Sequence, residues 1–163
     1  MRPERSAKDA ALSLLARRDH SSAELRQKLA ARGYARADID ALVPRLLELG
    51  LLDDRRMARL LVERELASGA SGPARIKARL FAKGIAPDLI DECFGALTHE
   101  WELNQARHAA SAWCARHRAK NAWRESLARH LRARGFGWEA IRTALQSVEP
   151  RRDDGRESSY DEP

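Results

Sequence analysis

Apolar positions along the chain recur with the spacing of one helix face. Leu25 and Leu29, Ile76 and Leu80, and Leu127 and Leu131 are i, i+4 pairs, and four residues past each second member stands a glycine: Gly33, Gly84 and Gly135. Beyond the glycines come Ile39 and Val43, Ile90 and Phe94, and Ile141 and Leu145, again four apart. The glycines are separated by a constant 51 residues, and each sits between a basic and a bulky apolar residue, as Arg32-Gly33-Tyr34, Lys83-Gly84-Ile85 and Arg134-Gly135-Phe136. A glycine just past a helix takes the left-handed conformation without steric cost, and the apolar residue after it can fold back on the last turn. The pattern predicts helix, glycine stop, helix, three times over.

Helix-start signals keep the same register. Ser21-Ser22-Ala23-Glu24 is a capping-box sequence, in which Ser21 and Glu24 can satisfy orphan amide donors reciprocally. Ser21 maps onto Gly72, where Pro73 takes the first helical position, and onto Trp123 as the equivalent cap position of the third copy. Pro87 opens the helix after Gly84, and Asp53 or Asp54 can cap the helix that begins the second copy. Ahead of each pair runs another amphipathic segment, roughly 6–18, 54–66 and 98–117, in which Ala7, Ala58 and Ala109 align, as do Ala11, Val62 and Trp113. The expected fold is all-α, with tandem three-helix repeats over 1–52, 53–97 and 98–149. A unit of about fifty residues barely buries its own core, so neighbours are expected to lean on each other in an elongated, solenoid-like stack. The tail 150–163 lacks apolar periodicity and is expected to be disordered.

Composition narrows the class. Hydrophobic residues make up 44% and charged residues 33%, enough for a compact core but not for a membrane span, and only 6% are aromatic, which with abundant Ala, Leu, Arg and Glu favours helix over sheet. The net charge of +6 is unevenly spread. Lys and Arg against Asp and Glu number ten to seven over 1–50, eight to eight over 51–100, nine to four over 101–149 and three to five over 150–163. A basic ordered part suits an anionic surface, nucleic acid or an acidic protein groove. Cys93 and Cys114 form no CxxC pair and have no histidine at metal-ligand spacing, so neither a disulfide framework nor a zinc site is implied. The opening Met1-Arg2-Pro3-Glu4-Arg5 leads into no long apolar run, which makes a secretory signal absent and the cytoplasm the expected compartment.

No set of residues resembles a catalytic site. His20, His99, His108, His117 and His130 are scattered, with no HExxH spacing, no GxSxG elbow and no phosphate-binding glycine loop, so no enzyme activity, metal or cofactor is expected. What repeats is charge. Lys28, Arg79 and His130 are equivalent, and four residues on so are Arg32, Lys83 and Arg134. If the copies stack, these positions form a discontinuous basic ladder for phosphates or acidic side chains. Arg32, Lys83 and Arg134 equally sit in last helical turns, where a cation complements the helix dipole with no ligand at all. Arg75 stands on a first turn, where the dipole disfavours it; Glu63 or Glu65 can be its partner, or an external anion can. With Lys77 beside it, the candidate partner-binding set is Lys28, Arg32, Arg75, Lys77, Arg79, Lys83 and Arg134. Trp101, Trp113, Trp123 and Trp138 can stack on bases or anchor an interface, but Trp113 at an aligned position reads as core, as does Cys93.

Three segments in order, Ser21-Ser22-Ala23-Glu24-Leu25, Gly50-Leu51-Leu52-Asp53-Asp54 and Gly72-Pro73-Ala74-Arg75-Ile76, resemble the RecX family of regulators of the bacterial RecA recombinase, over about residues 6–148. The resemblance implies tandem three-helix repeats in a curved, elongated body. It also implies a partner, the RecA filament on DNA, in whose helical groove such a protein binds, limiting filament growth, strand exchange and ATP hydrolysis by RecA. A monomer without cofactor, with weak binding to single- or double-stranded DNA, fits this. Two other readings stay open: a helical DNA-binding protein acting without RecA, since a three-helix unit is similar to a helix-turn-helix, and a general helical-repeat adaptor. Asp88, Asp91 and Glu92, and Asp38 and Asp40, would meet phosphate unfavourably in the DNA-reading role.

Overall fold

A computed structural model of the chain describes residues 5–69, 71–95, 97–117 and 122–149. Among these the chain is all-α, with nine helices and no strand: α1 (Ala7–Leu15), α2 (Ser22–Ala31), α3 (Arg36–Glu48), α4 (Asp54–Ser68), α5 (Pro73–Ala82), α6 (Pro87–Phe94), α7 (His99–Arg116), α8 (Trp123–Ala133) and α9 (Trp138–Ser147). The tail 150–163, expected to be disordered, lies outside the described residues. No helix among the described residues is long and apolar enough to cross a membrane.

The starts of the helices are chemical rather than statistical. The Oγ of Ser6 accepts the Asp9 N–H at 3.1 Å, that of Ser21 the Glu24 N–H at 3.0 Å, and the Oγ1 of Thr98 the Trp101 N–H at 3.2 Å. Each such cap contributes about 1 kcal/mol. Asp53 caps α4 by accepting the Arg56 N–H at 2.8 Å, and Asp54, the first residue of that helix, does something else. Its carboxylate accepts the Ser22 N–H at 2.7 Å and the Ser22 hydroxyl at 2.5 Å, so it caps α2 from a distant part of the chain. The third copy departs from expectation. Trp123 is the first residue of α8 rather than its cap; the cap is Ala122, which has no side-chain acceptor and adopts a left-handed φ of 66°.

At the other ends, the three glycines occupy one local structure. Gly33, Gly84 and Gly135 have φ of 82°, 71° and 83°. At Gly84 the glycine N–H donates to the Phe81 carbonyl at 2.8 Å and the Ile85 N–H to the Leu80 carbonyl at 3.1 Å. The same two bonds recur as Gly33 to Ala30 and Tyr34 to Leu29, and as Gly135 to Arg132 and Phe136 to Leu131. These are the 5→2 and 6→1 bonds of a Schellman stop, and they point the following side chain inward: Ile85 and Phe136 are buried and Tyr34 half-buried.

The chain divides into two compact units, Met1–Ser68 with Arg75–Leu97, and Gly69–Ala74 with Thr98–Pro163. In the first, Ala11, Leu14, Leu25, Leu29, Val43 and Leu46 centre the core of α1–α3, and Ala58, Val62, Ile76, Leu80 and Ile90 are buried along α4–α6. In the second, Ala106, Ala110, Leu127, Leu131, Ile141 and Ala144 form the core, with Trp113 packed against its edge. Full burial of one such leucine or isoleucine contributes about 1.5–3 kcal/mol. Cys114 is buried, whereas Cys93, expected as core, is half-buried.

Inside each unit a helix N-terminus meets a glycine turn. In the first unit the Ser21 hydroxyl donates to the Lys83 carbonyl, and Ala23 lies so close that a Cβ on Gly84 would stand 2.3 Å from its own. In the second the Gly72 N–H donates to the Arg134 carbonyl at 2.8 Å and the Ala74 N–H to that of Gly135 at 3.2 Å, while a Cβ on Gly72 would fall 2.5 Å from the Gly135 carbonyl. Ser21 and Gly72, and Lys83 and Arg134, are each one 51-residue period apart.

Gly33 and Gly84 therefore separate two effects. Gly33→Ala meets only the left-handed backbone penalty, about 1–2 kcal/mol, because nothing lies within 4 Å of the added carbon. Gly84→Ala carries that penalty and a clash with Ala23, about 1–3 kcal/mol more. Urea unfolding followed by circular dichroism should rank Gly84→Ala below Gly33→Ala; equal losses would mean the close approach at Ala23 is no constraint.

Candidate partner-binding surface

Helix α5 carries the densest run of expected contact residues, and each has a definite place. Arg75 is exposed on the first turn. Lys77 places its Nζ 3.0 Å from an Asp91 carboxylate oxygen on α6 and 5.1 Å over the Phe94 ring. Arg79 is ion-paired with Glu65 of α4, a carboxylate with 6% of its surface exposed. Lys83, just past the helix, lies 3.5 Å from Glu24 of α2. Elsewhere in the first unit Lys28 is half-buried on α2, close enough to bear on His20, and Arg32 is exposed as the C-cap of the same helix. Arg134 is the half-buried C-cap of α8 in the second unit.

The structure gathers Arg79 and Lys83, and leaves the other five outside their cleft. The two line a cleft of about 530 Å³ in the first unit, walled by α2, α4 and the end of α5. Its polar lining also holds Glu24, Gln27, Arg64 and Glu65, and its apolar lining includes Leu61 and Phe81. Sequence reading passed over Arg64 and Phe81. The signal available was their singularity: Phe81 aligns with Ala30 and Arg132, and Arg64 with Ser13 and Ala115, so a large cation and an aromatic ring appear in one copy only.

Charges around the cleft are partly spent. Glu24 is bound by Arg18, with a second contact at 3.3 Å, and the guanidinium, with Lys83 further off, pulls the carboxyl down to about 2. The reciprocal half of the capping box is therefore replaced: the carboxylate turns to Arg18 and Lys83 rather than back to Ser21. His20 is 4% exposed, and its Nδ1 lies 3.3 Å from Glu24 but out of line for a hydrogen bond. Burial, then the Arg18 charge, push its pKa below the ordinary value, against the opposing pull of Glu24. Arg79 neutralises Glu65. Arg64, exposed on α4, has no ion-pair partner among the described residues.

The ladder is weaker in the second unit. His130, the equivalent of Lys28 and Arg79, is held below its ordinary 6.5 by burial and by the Arg134 and His117 charges, so it is neutral near pH 7. Trp113 lies 6.4 Å from His130 and stacks on His117 with ring centroids 4.3 Å apart; at the start of α8, Arg124 lies 5.0 Å over Trp123.

Removal of Arg79 strands a buried carboxylate. Arg79→Ala should cost about 1–3 kcal/mol in thermal or urea unfolding, and adding Glu65→Gln should recover much of it; an unchanged stability would show that Glu65 finds water or another partner. A pH dependence follows as well. The Glu24 contribution is complete above about 4.5 and is lost as pH falls toward about 2, because the unfolded chain takes up the proton first. His20 acts in the same direction from a higher pH, since the unfolded imidazole protonates below 6.5 while the buried one resists. Urea midpoints should thus fall on acidification from about pH 6.5, and Glu24→Gln should flatten the part of the curve between about 4.5 and 2.

Comparison with known proteins places this arrangement. The family profile for the RecX first three-helix domain matches residues 7–46, and that for the RecX second three-helix domain matches residues 53–93. The regulatory protein RecX of Vibrio vulnificus is 35% identical over 88% of this chain and 93% of its own length. That of Halorhodospira halophila is 37% identical over 88% of this chain and 89% of its own. The crystal structure of RecX from Lactobacillus salivarius superposes with a TM-score of 0.75 at 22% identity, covering 86% of this chain and 92% of that one.

Proposed function

The chain belongs to the RecX family, and from that premise we propose that it regulates a RecA recombinase by binding the RecA–DNA filament and restraining strand exchange and ATP hydrolysis. The observation that carries this reading is the match to regulatory RecX proteins along nearly nine-tenths of the chain, both three-helix profiles included. The chain itself performs no chemistry in this role and acts in the cytoplasm. Residues 1–52, 53–97 and 98–149 serve as three repeats, each offering its own contacts.

Lys28, Arg32, Arg75, Lys77, Arg79, Lys83 and Arg134 are the proposed contact residues toward the filament. Lys77 and Lys83 are held in surface ion pairs, each worth about 0–1 kcal/mol, so an acidic side chain of a partner can replace the internal one at little cost. Contacts that are weak singly become effective when one folded body presents several to a filament whose subunits repeat. Binding to DNA alone is then weak and salt-sensitive.

Purified protein added at sub-stoichiometric amounts to RecA assembled on single-stranded DNA should slow ATP hydrolysis. Arg75→Ala with Lys77→Ala should weaken the effect several-fold without loss of helix content. Undiminished hydrolysis with folded protein and RecA from a matched source would refute the reading.

A further inference from the structure

We propose that the cleft between α2, α4 and the end of α5 is a docking site for an acidic, apolar-studded segment of a protein partner, with Arg64 and Lys83 taking its carboxylates and Phe81 an apolar side chain. The identity of that partner as RecA rests on the proposed function; the chemistry of the site does not.

The argument begins with which charges are committed. Arg18 holds Glu24, and Arg79 holds the buried Glu65. Two cations remain beyond these pairs. Arg64 has no ion-pair partner among the described residues, and Lys83 reaches Glu24 only at 3.5 Å, with its side chain 38% exposed. The cleft is thus electropositive by two charges at its surface while its floor is already neutral. A ligand carboxylate can draw Lys83 away from Glu24 without stranding Glu24, because Arg18 stays in place.

The apolar part selects the class of ligand. Phe81 is 57% exposed beside this cleft, and Leu61, 8% exposed, lines the adjoining wall. A half-exposed ring next to one cation without an ion pair and one loosely held cation is the composition of a protein-binding anchor, where aromatic residues and arginine dominate the energetics. A volume of about 530 Å³ accepts a few side chains of an extended or helical segment. A nucleic-acid strand fits less well, since a backbone track needs a run of cations, whereas this cleft offers only Arg64 and the loosely held Lys83 beyond its internal pairs. The two added groups also occur only in the second copy, which makes this a single specific pocket rather than one rung of a repeated ladder.

Arg64→Glu and Phe81→Ala test the site, with Arg36→Glu as a charge-matched control, since Arg36 is 95% exposed on α3 and away from the cleft. All three alter exposed side chains, and thermal melts by circular dichroism verify folding; if Arg64→Glu melts early, Phe81→Ala decides. Arg64→Glu and Phe81→Ala should each raise the concentration needed for half-inhibition of RecA ATPase about tenfold, with Arg36→Glu near wild type. Inhibition equal to wild type in both cleft variants, or equal weakening by Arg36→Glu, would overturn the proposal. So would a loss of affinity for bare single-stranded DNA in Phe81→Ala that matches its loss of inhibition, which would assign the cleft to nucleic acid. If wild-type protein leaves RecA unaffected, the function proposed above fails and the cleft is judged by fluorescence anisotropy of a short labelled peptide of alternating Glu and Leu. Binding by wild type that both cleft variants weaken upholds the site, and no binding by wild type ends it.

Discussion

The fold depends on the start of a helix settling on a turn that ends another. At Gly84 the approach is close enough that Ala23 occupies the space a side chain would need, and the Ser21 hydroxyl satisfies the Lys83 carbonyl left open where α5 stops. Two needs are met by one hydroxyl: its oxygen accepts the surplus Glu24 N–H at the helix start, and its proton goes to a surplus carbonyl at the helix end. Asp54 closes the same joint from the other side by capping α2 through Ser22. The second unit solves the problem with backbone alone, Gly72 and Ala74 donating to Arg134 and Gly135. Glycine thus serves twice at position 84, for its left-handed backbone and for its missing side chain, whereas at position 33 only the first applies.

This joint also explains where the basic residues stand. A Schellman turn leaves the residue before its glycine at the helix end, where a cation is favoured by the dipole, and in the first unit the joint brings the start of α2, with Glu24 in its first turn, close to it. Lys83 beside Glu24 is the result. The recurrence of Arg32, Lys83 and Arg134 is accordingly part of how the copies are built, and their availability to a partner follows from how loosely each is held.

Much of this was legible from residues whose chemistry acts locally. Gly33, Gly84 and Gly135 could be read because only glycine takes that backbone region freely, and Ser21 and Asp53 because caps act within three residues. Several of the misreadings involve distance in sequence. Asp54 has the composition of a local cap but serves Ser22, and Glu24 completes the capping-box pattern yet is captured by Arg18. His130 aligns with cations, but burial first, and the nearby Arg134 and His117 second, lower its pKa. The cleft was invisible for a different reason: aligning copies brings out what recurs, and Arg64 and Phe81 matter by being exceptions.

A net charge of +6 overstates what a partner meets. Among the described residues, Arg18, Arg55, Arg56, Lys77, Arg79 and Lys83 already answer carboxylates of the same chain. At these residues attraction to an anionic surface proceeds by exchange, one internal pair released for each external one formed, and the net gain per exchange is small. Exchange of this kind favours a partner that presents many acidic groups at fixed positions over one that is merely highly charged, because only the former replaces several pairs at once without losing the entropy of separate binding events. Rigid joints and replaceable surface pairs are in this sense complementary. The first hold Lys83 and Arg134 at their helix ends, each within its own unit, and the second leave surface cations able to change partners.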